Sequence, residues 1–422
     1  MCIRDSPVYS LLLLIFSVAF IWVLLQPWVN FVLQIVIYSA LLFVSCMICN
    51  GELVNLKPAP EHLTTFYLMV SIGGALGGIF VNLIAPYIFT GYWELLVGVA
   101  LCWVLLMVLS FLKKTTGLPR RLQFAHQALI GTLAVVSVIF SVYYISGVFS
   151  DARVAERNFY GVIRVKEMHP DDPELRAYDL VHGITQHGFQ FEAADKRDLP
   201  TSYYVENSGV GLAILNHSKY GQGMRVGVLG LGVGTLAAYG QPGDVYRFYE
   251  INPAVVSLAE GQGGYFSFLA DSRADVTVLL GDARLSLENE LAASERQNFD
   301  ILVLDTFSSD SIPVHLVTKE AFALYLAHLQ TEGILAVHIT NQHLDLQPVI
   351  WQLADTYGLS RARIETQGDG VRGFRSIWML LSRDPALLEN PAIARASTSL
   401  RGYKTSLRLW TDDYSNLFQI LK

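Results

Sequence analysis

The sequence predicts about five transmembrane α-helices, followed by a small β-rich domain and a Rossmann-like α/β domain. Hydrophobic residues make up 52% of the 422 residues and charged residues only 16%, whereas soluble domains have about 25% charged residues. The charges are unevenly distributed, because residues 1–150 contain only six basic and four acidic side chains. After residue 225, short apolar segments alternate with helical ones, which is typical of a doubly wound parallel sheet. We therefore expect domains at 1–150, 151–207 and 208–422.

Five apolar runs in the first part each approach the ~20 residues that cross the hydrocarbon core of a bilayer. They cover residues 8–25, 31–49, 66–89, 93–112 and 125–149. Polar or turn-forming residues separate the runs, and Trp28 and Trp93 lie near run ends, where interfacial rings belong. The first part is therefore expected to be a multi-pass anchor in a lipid bilayer.

Small residues in the third run predict close helix packing. The segment Gly73-Gly74-Ala75-Leu76-Gly77-Gly78 places glycines four residues apart on one helix face, which lets a second helix approach closely. Packing within the bundle and a homodimer interface both satisfy this pattern. The opening Met1–Ser6 does not have the form of a signal peptide. It is typical of a translated sequencing adapter, so we expect the natural chain to extend upstream.

Residues 151–422 have the composition of an acidic globular domain. Because residues 1–150 carry a net charge of +2 and the whole chain −7, this part carries −9, which argues against nucleic acid as a partner. Strands at 159–168 and 177–191 predict the small β-domain. The expected α/β elements are strands at 225–230, 245–250, 276–280, 301–305 and 334–340, with helices at 233–239, 253–260 and 318–330.

A glycine-rich loop follows the first of these α/β strands and predicts a ligand site. Gly230, Gly232 and Gly234 let the backbone turn sharply and approach a ligand closely. Glu250 ends the next strand, twenty residues after Gly230, where an acid accepts hydrogen bonds from ribose hydroxyls. Asp282 follows the third strand and is placed to accept from an adenine amino group. Because three strand ends converge on one crevice, the sequence predicts a site for a nucleoside ligand.

Together with further motifs, these residues give residues 158–345 a resemblance to the spermidine synthase family of polyamine aminopropyltransferases. The whole chain resembles bacterial proteins that fuse such a domain to a multi-pass membrane region. The matching segments are Gly230-Leu-Gly-Val-Gly234, Glu250, Gly281-Asp282, Leu304-Asp305-Thr-Phe-Ser-Ser-Asp310-Ser-Ile-Pro313, His182-Gly-Ile-Thr-Gln186, Tyr203-Tyr204-Val-Glu206 and Thr411-Asp-Asp-Tyr-Ser-Asn416. The resemblance implies the fold of S-adenosylmethionine-dependent transferases with a small N-terminal β-domain.

The resemblance also implies a reaction. An aminopropyl group passes from decarboxylated S-adenosylmethionine to a diamine such as putrescine, and methylthioadenosine is released. Asp305 matches the family's catalytic base, and Gln186 matches the glutamine that contacts the nucleoside product. Tyr204, Glu206 and Asp310 are the implied residues of the acceptor-amine pocket, where carboxylates hold cationic amines by charge-assisted hydrogen bonds.

Two departures from the family pattern leave other functions open. The family's glycine loop usually contains an aspartate that holds the aminopropyl amine, and Val233 stands there instead. The second acid after the strand is replaced by Ser308, with Asp310 two residues later. Because fewer carboxylates recognise a polycation less well, methyl transfer from S-adenosylmethionine is one alternative. The other is a non-catalytic domain that binds the nucleoside and reports to the membrane helices, as a sensor or a transporter subunit.

The histidines of the soluble part do not have the spacing of metal ligands. Those considered are His182, His187, His315, His338 and His343. They form no HxH or HxxxH set with a carboxylate, so we expect no metal in the site.

The soluble domain is expected in the cytoplasm of a bacterium. Basic residues flank the last apolar run on both sides, in 113–121 and in 150–166, so the positive-inside rule does not decide the orientation. S-adenosylmethionine compounds are made in the cytosol, and a domain that consumes them should face it. We therefore expect a multi-pass protein of the inner membrane with a cytoplasmic C-terminal domain.

Overall fold

The computed structural model describes residues 6–26, 29–112, 120–150, 152–183, 185–306, 313–400 and 402–422. The chain divides into two compact units, Met1–Asp151 and Ala152–Lys422. Residues 1–5 of the adapter-like opening lie outside the described residues, as do Ser308 and Asp310.

The first unit is helical. Its helices are α1 (Ser6–Leu25), α2 (Phe31–Asn55), α3 (Leu63–Ile79), α4 (Ala85–Ile88), α5 (Glu94–Leu112) and α6 (Arg120–Ser150). A π-helical turn at Phe80–Ile84 joins α3 to α4, so these two form one span. The segments long and apolar enough to cross a membrane are Val8–Leu25, Phe31–Asn55, Pro60–Ile88, Glu94–Leu112 and Arg121–Val148. The predicted number of long apolar helices is confirmed.

The four glycines of the small-residue segment lie on α3. A β-carbon added to any of them would meet no described atom within 4 Å outside the helix backbone. No described atom of this unit therefore lies close against these glycines, and the homodimer stays a prediction.

Four antiparallel strands open the second unit and form a sheet in chain order. They are β1 (Ala152–Asn158), β2 (Gly161–Met168), β3 (Ala177–His182) and β4 (Thr185–Phe191). The predicted small β-domain is confirmed, but its first strand begins earlier than expected. Phe159 and Tyr160 form a turn instead of a strand, because the Asn158 side chain accepts a hydrogen bond from the backbone N–H of Tyr160 at 2.9 Å.

The main sheet has eight strands in the order β12-β10-β11-β9-β8-β5-β6-β7. They are β5 (Arg225–Leu229), β6 (Val245–Glu250), β7 (Asp275–Leu280), β8 (Phe299–Leu304), β9 (Leu329–His338), β10 (Ser360–Thr366), β11 (Ser376–Ser382) and β12 (Ser397–Thr398). Strands β5 to β9 pair in parallel, and β11 pairs antiparallel with both β9 and β10. The five strands expected from the sequence pair in parallel as predicted. Beyond them, β10 and β11 add an antiparallel edge, because β10 returns to β11 directly and without a crossover helix.

Eight helices accompany the strands of the second unit in the described residues. They are α7 (Gly209–Leu215), α8 (Pro253–Ala259), α9 (Phe268–Asp271), α10 (Ala283–Ala292), α11 (Lys319–His328), α12 (Gln347–Thr356), α13 (Pro385–Leu388) and α14 (Pro391–Ala396). The helix expected at 233–239 is a short 3-10 segment, Thr235–Tyr239, because Gly234 before it has a left-handed backbone with φ 81°.

The parallel strands bury both faces. On β5, Val226 and Val228 belong to one hydrophobic cluster and Leu229 to another; on β8, Ile301 and Leu302 divide in the same way. This explains the near-continuous apolar runs that marked these strands in the sequence. Polar residues are left to the loops beyond the strand ends, where the candidate site lies.

Candidate functional site

The loop after β5 fits its neighbours only because it contains glycines. Gly230 has φ 95° and Gly232 has φ 56°, and both values lie in the left-handed region that favours glycine. A β-carbon at Gly230 would collide with the carbonyl oxygen of Asp305, and one at Gly232 would collide with the carbonyl oxygen of His187. The loop therefore lies directly against the ends of β8 and β4.

Glu250 ends β6 beside this loop. Its carboxylate accepts hydrogen bonds from the backbone N–H of Leu231 at 3.0 Å and of Asn252 at 2.8 Å. Burial raises the pKa of Glu250, and the backbone donors act against that rise. Each carboxylate oxygen has more than one lone pair, so Glu250 holds the loop and still has capacity to accept from a ligand.

Asp282 follows β7 and begins α10. One carboxylate oxygen accepts from the backbone N–H of Leu285 at 2.9 Å, which caps the helix. The other lies 3.0 Å from Nε2 of His315. The cap uses one carboxylate oxygen and leaves the other in the lining of the smaller cavity described below. The contact of Asp282 with a nucleoside stays a prediction.

Two cavities join these strand ends. The smaller, of about 120 Å³, brings together five of the predicted residues: Gly230, Gly232, Glu250, Asp282 and Asp305. The larger, of about 310 Å³, runs toward the small sheet and is lined by Phe159, Tyr160 and His182. His187, Gly232, Glu250, Ile251 and Pro313 line both cavities. The predicted crevice is therefore a continuous groove with a carboxylate at each of three strand ends.

Asp305 follows β8 and is the most constrained acid of the groove. Its Oδ2 accepts a hydrogen bond from the hydroxyl of Tyr204 at 2.5 Å, and its Oδ1 lies 2.7 Å from Nδ1 of His338. Burial acts to raise the pKa of Asp305, but His338 and Tyr204 hold it below its usual value. Asp305 is therefore an ionised carboxylate with a fixed orientation.

His187 stands between the two cavities. Burial, together with the nearby His182 ring, lowers the pKa of His187 to about 4. The two rings are 5.6 Å apart between centroids. At neutral pH His187 is therefore uncharged, and it adds no positive charge beside Asp305.

Other predicted residues lie outside the described linings of both cavities. Gln186 is on β4 and hydrogen-bonds Asp179 of β3. Glu206 forms an ion pair with Arg372, with oxygen–nitrogen distances of 3.0 and 2.6 Å. Gly234 faces Leu269. Their roles stay predictions, as does that of Asp310, which is outside the described residues.

Sequence reasoning missed the role of His338, which it considered only as a metal ligand. His338 ends β9, and Asp305 follows the neighbouring parallel strand β8. Because the ends of adjacent parallel strands meet at one edge of a sheet, the position of His338 was a usable signal. Val233, which departs from the family pattern, is buried and packs toward Gly188. Within the described residues, no group of three or more His, Cys, Asp or Glu side chains is arranged to hold a metal ion.

Comparison with known proteins shows a likeness to a polyamine aminopropyltransferase in part of the sequence. No protein-family model matches the chain. Over 117 residues, or 27% of this chain, the sequence is 31% identical to the polyamine aminopropyltransferase of Vibrio vulnificus. The match spans 37% of the length of that enzyme.

Three solved structures illustrate the structural likeness. A spermidine synthase from Thermotoga maritima is 11% identical, with 62% of this chain and 82% of that chain covered and a TM-score of 0.39. A probable spermidine synthase from Corynebacterium glutamicum is 13% identical, with 61% and 98% covered and a TM-score of 0.41. An O-methyltransferase from Bacillus cereus is 15% identical, with 42% and 81% covered and a TM-score of 0.31. No functional assignment follows from likeness at this level. The predicted resemblance to the spermidine synthase family is confirmed by the sequence relative, while its fusion to a membrane region stays a prediction.

Proposed function

We propose that the chain is a membrane-anchored aminopropyltransferase of the spermidine synthase type. It would move an aminopropyl group from decarboxylated S-adenosylmethionine to a diamine such as putrescine and release methylthioadenosine. The observation that carries the proposal is the position of Asp305. Its carboxylate is held by Tyr204 and His338 in the same cavity as the glycine loop, Glu250 and Asp282.

The donor would lie along the smaller cavity. Gly230 and Gly232 let the backbone approach it, Glu250 accepts from the ribose hydroxyls, and Asp282 accepts from the adenine amino group. Gln186 is proposed to reach the nucleoside from the small sheet, which requires it to exchange its present partner Asp179 for the ligand.

The chemistry needs alignment and one proton acceptor. The lone pair of an acceptor amine forms a bond to the propyl carbon next to sulfur while the carbon–sulfur bond breaks. That bonding pair stays on sulfur, so the positive sulfonium becomes a neutral thioether. The new ammonium loses a proton to the carboxylate of Asp305. Because the sulfonium is already a good leaving group, orientation and proton removal are the main contributions of the protein.

Tyr204, Glu206 and Asp310 are proposed for the acceptor side. Tyr204 is buried against Asp305, and this carboxylate together with burial raises the pKa of Tyr204 well above its usual value. The hydroxyl therefore stays protonated and donates to Asp305. Glu206 follows Tyr204 by two residues, and its carboxylate forms an ion pair with Arg372.

The apolar helices of the first unit are proposed to anchor the chain in a bacterial inner membrane, with the second unit in the cytoplasm. A reporter fused after Lys422 tests the side. We expect activity from a reporter that works only in the cytoplasm. Activity from a reporter that works only in the periplasm would contradict both the orientation and a cytosolic donor.

The deciding experiment uses the full chain in detergent, supplied with either donor and a panel of amines, and identifies the nucleoside product by mass. We expect methylthioadenosine only with the decarboxylated donor and an amine. Asp305→Asn should lower kcat by about 10²- to 10⁴-fold, the usual contribution of a general base. Glu260→Gln, which changes an exposed acid after α8, is the matched control and should leave kcat unchanged.

Two other outcomes would replace the proposal. S-adenosylhomocysteine as product would mean methyl transfer, a reading favoured by Val233 at the position where the family holds the aminopropyl amine. Binding of methylthioadenosine without turnover of either donor would support a nucleoside-binding sensor or transporter subunit.

A further inference from the structure

His338 lies beside the proposed base and is almost completely buried. It is the last residue of β9, and the parallel register pairs Val337 of β9 with Leu304 of β8, one residue before Asp305. Nδ1 of His338 is 2.7 Å from Oδ1 of Asp305, and the side chains are 5% and 9% exposed. A contact this short between two buried polar groups fixes how each is oriented.

The hydrogen positions follow from the partners. An ionised carboxylate only accepts hydrogen bonds, so Nδ1 of His338 carries the proton that it shares with Asp305. Nε2 lies 2.7 Å from the hydroxyl of Thr340. That hydroxyl oxygen also accepts from the backbone N–H of Ile377 at 2.7 Å. Both ring nitrogens of His338 are therefore held by hydrogen-bonding partners.

Aromatic contacts fix the plane of the ring. The His338 ring stacks on Trp378 with centroids 4.5 Å apart and planes 13° apart. The indole N–H of Trp378 donates to the carbonyl of Tyr203 at 3.3 Å, next to Tyr204. The network thus returns to Asp305, whose second oxygen accepts from Tyr204.

We infer that His338 is a positioning residue for the proposed reaction, which holds the carboxylate of Asp305 in the orientation that receives the acceptor's proton. This inference rests on the proposed function. Nδ1–H of His338 fixes one carboxylate oxygen and leaves lone pairs to receive that proton.

The other titratable groups near the ring are few in the described part of the chain. They are Asp305, His187, Tyr203 and Tyr204. The carboxylate of Asp305 is hydrogen-bonded to the His338 ring, and His187 interacts with the ring electrostatically. Tyr203 and Tyr204 lie on one loop, in which the carbonyl of Tyr203 accepts the hydrogen bond from the Trp378 indole. Both His187 and Tyr204 are held uncharged at neutral pH, because burial and its neighbours lower the pKa of His187 and raise that of Tyr204.

The test compares two variants of the full chain in detergent. His338→Asn keeps an N–H donor at the position of Nδ1, and His338→Leu removes it. We expect His338→Leu to lower kcat by about 10- to 100-fold with little change in the acceptor KM, the effect of losing the partner that orients a reacting group. His338→Asn should recover most of kcat. His169→Asn, which changes an exposed histidine after β2, is the control and should leave kcat unchanged.

Binding of methylthioadenosine to each variant shows that the cavity is intact. Wild-type kcat in His338→Leu, or no recovery of kcat in His338→Asn, would overturn this inference while leaving the proposed function standing. Failure of the wild type to turn over any donor would overturn the proposed function, and the role of His338 with it.

Discussion

Arg284 and Asp412 join the segment around residue 412 to the wall of the smaller cavity. The guanidinium donates two hydrogen bonds to the carboxylate, at 2.7 and 2.6 Å. Arg284 also donates to the carbonyl of His315 at 2.8 Å, and Thr318 donates to Asp412 at 2.8 Å. The Arg284 guanidinium lowers the pKa of Asp412 to about 2. The Arg284–Asp412 ion pair thus helps to hold in place the two segments of the cavity lining that contain Asp282 and His315.

Asp412→Asn should weaken nucleoside binding without affecting the chemical step. The amide loses one of the two charge-assisted hydrogen bonds, and because the pair is partly exposed the effect should be small. We expect the Kd of methylthioadenosine to rise by up to about 5-fold, with kcat at saturating donor unchanged. Calorimetric titration of the full chain measures this, with Asp413→Asn as control. Equal affinity of both variants for methylthioadenosine would mean that the Arg284–Asp412 ion pair does not affect the shape of the cavity.

Gly230→Ala should abolish nucleoside binding, because the new methyl group collides with the Asp305 carbonyl. Gly243→Ala separates this collision from backbone strain. Gly243 has a similar φ of 92°, and its β-carbon would meet no described atom within 4 Å. We expect the control to bind normally and to lose only about 1 kcal/mol of stability. Normal binding by the Gly230 variant would show that the loop adapts and that close approach is not required.

Arg372→Met tests the proposed role of Glu206. If Glu206 holds an acceptor ammonium, freeing its carboxylate from Arg372 should lower the KM of a diamine by roughly 3- to 10-fold, and Glu206→Gln should raise it. The donor KM should not change in either variant. Arg375→Met is the matched control, since Arg375 is a nearby exposed arginine paired with Glu365 instead. Parallel changes in donor and acceptor KM would point to a general loss of structure and against an acceptor subsite.

Asp179 predicts a pH dependence of stability in the small sheet. Burial raises the pKa of Asp179 to about 6, while Gln186 and Lys166 act in the opposite direction. Since the folded state favours the protonated acid, stability falls as the pH rises from about 4 to about 6 and stays low above that. Asp179→Asn removes this loss, so the variant should exceed the wild type by up to about 3 kcal/mol above pH 6.

The free-energy difference should vanish below about pH 4, where both folded and unfolded chains bind the proton. Amide hydrogen exchange of β3 and β4 in the full chain measures it. The exposed Asp171→Asn should behave as the wild type. A gain in stability that persists unchanged at pH 4 would rule out titration of Asp179 as its cause.

The sequence was informative where local pattern and strand order decide the structure. Continuous apolar runs located β5 and β8, and the glycine loop, Glu250 and Asp282 were placed correctly at adjoining strand ends. These predictions held because a parallel sheet brings successive strand ends to one edge. The small β-domain followed from alternating segments, although Asn158 closes a turn where a strand was expected.

Other features depend on contacts between residues far apart in the chain. No local pattern shows that Glu206 pairs with Arg372, 166 residues away, or that Asp412 pairs with Arg284. The antiparallel edge formed by β10 and β11 lies after the part of the sequence in which alternating strands and helices could be recognised. His338 is intermediate, since its position at a strand end was visible in the sequence but the orientation of its ring depends on Thr340 and Trp378.

The alignment of β11 with β9 links folding to chemistry. Trp378 is the residue of β11 directly opposite His338. A slip of one residue would turn Trp378 to the other face of the sheet and bring Ile377 or Met379 into its place. The stacking of Trp378 on His338 therefore requires the correct register, because a misaligned β11 would no longer present Trp378 to the ring. During refolding, recovery of the proposed transferase activity should follow the same time course as burial of the Trp378 indole.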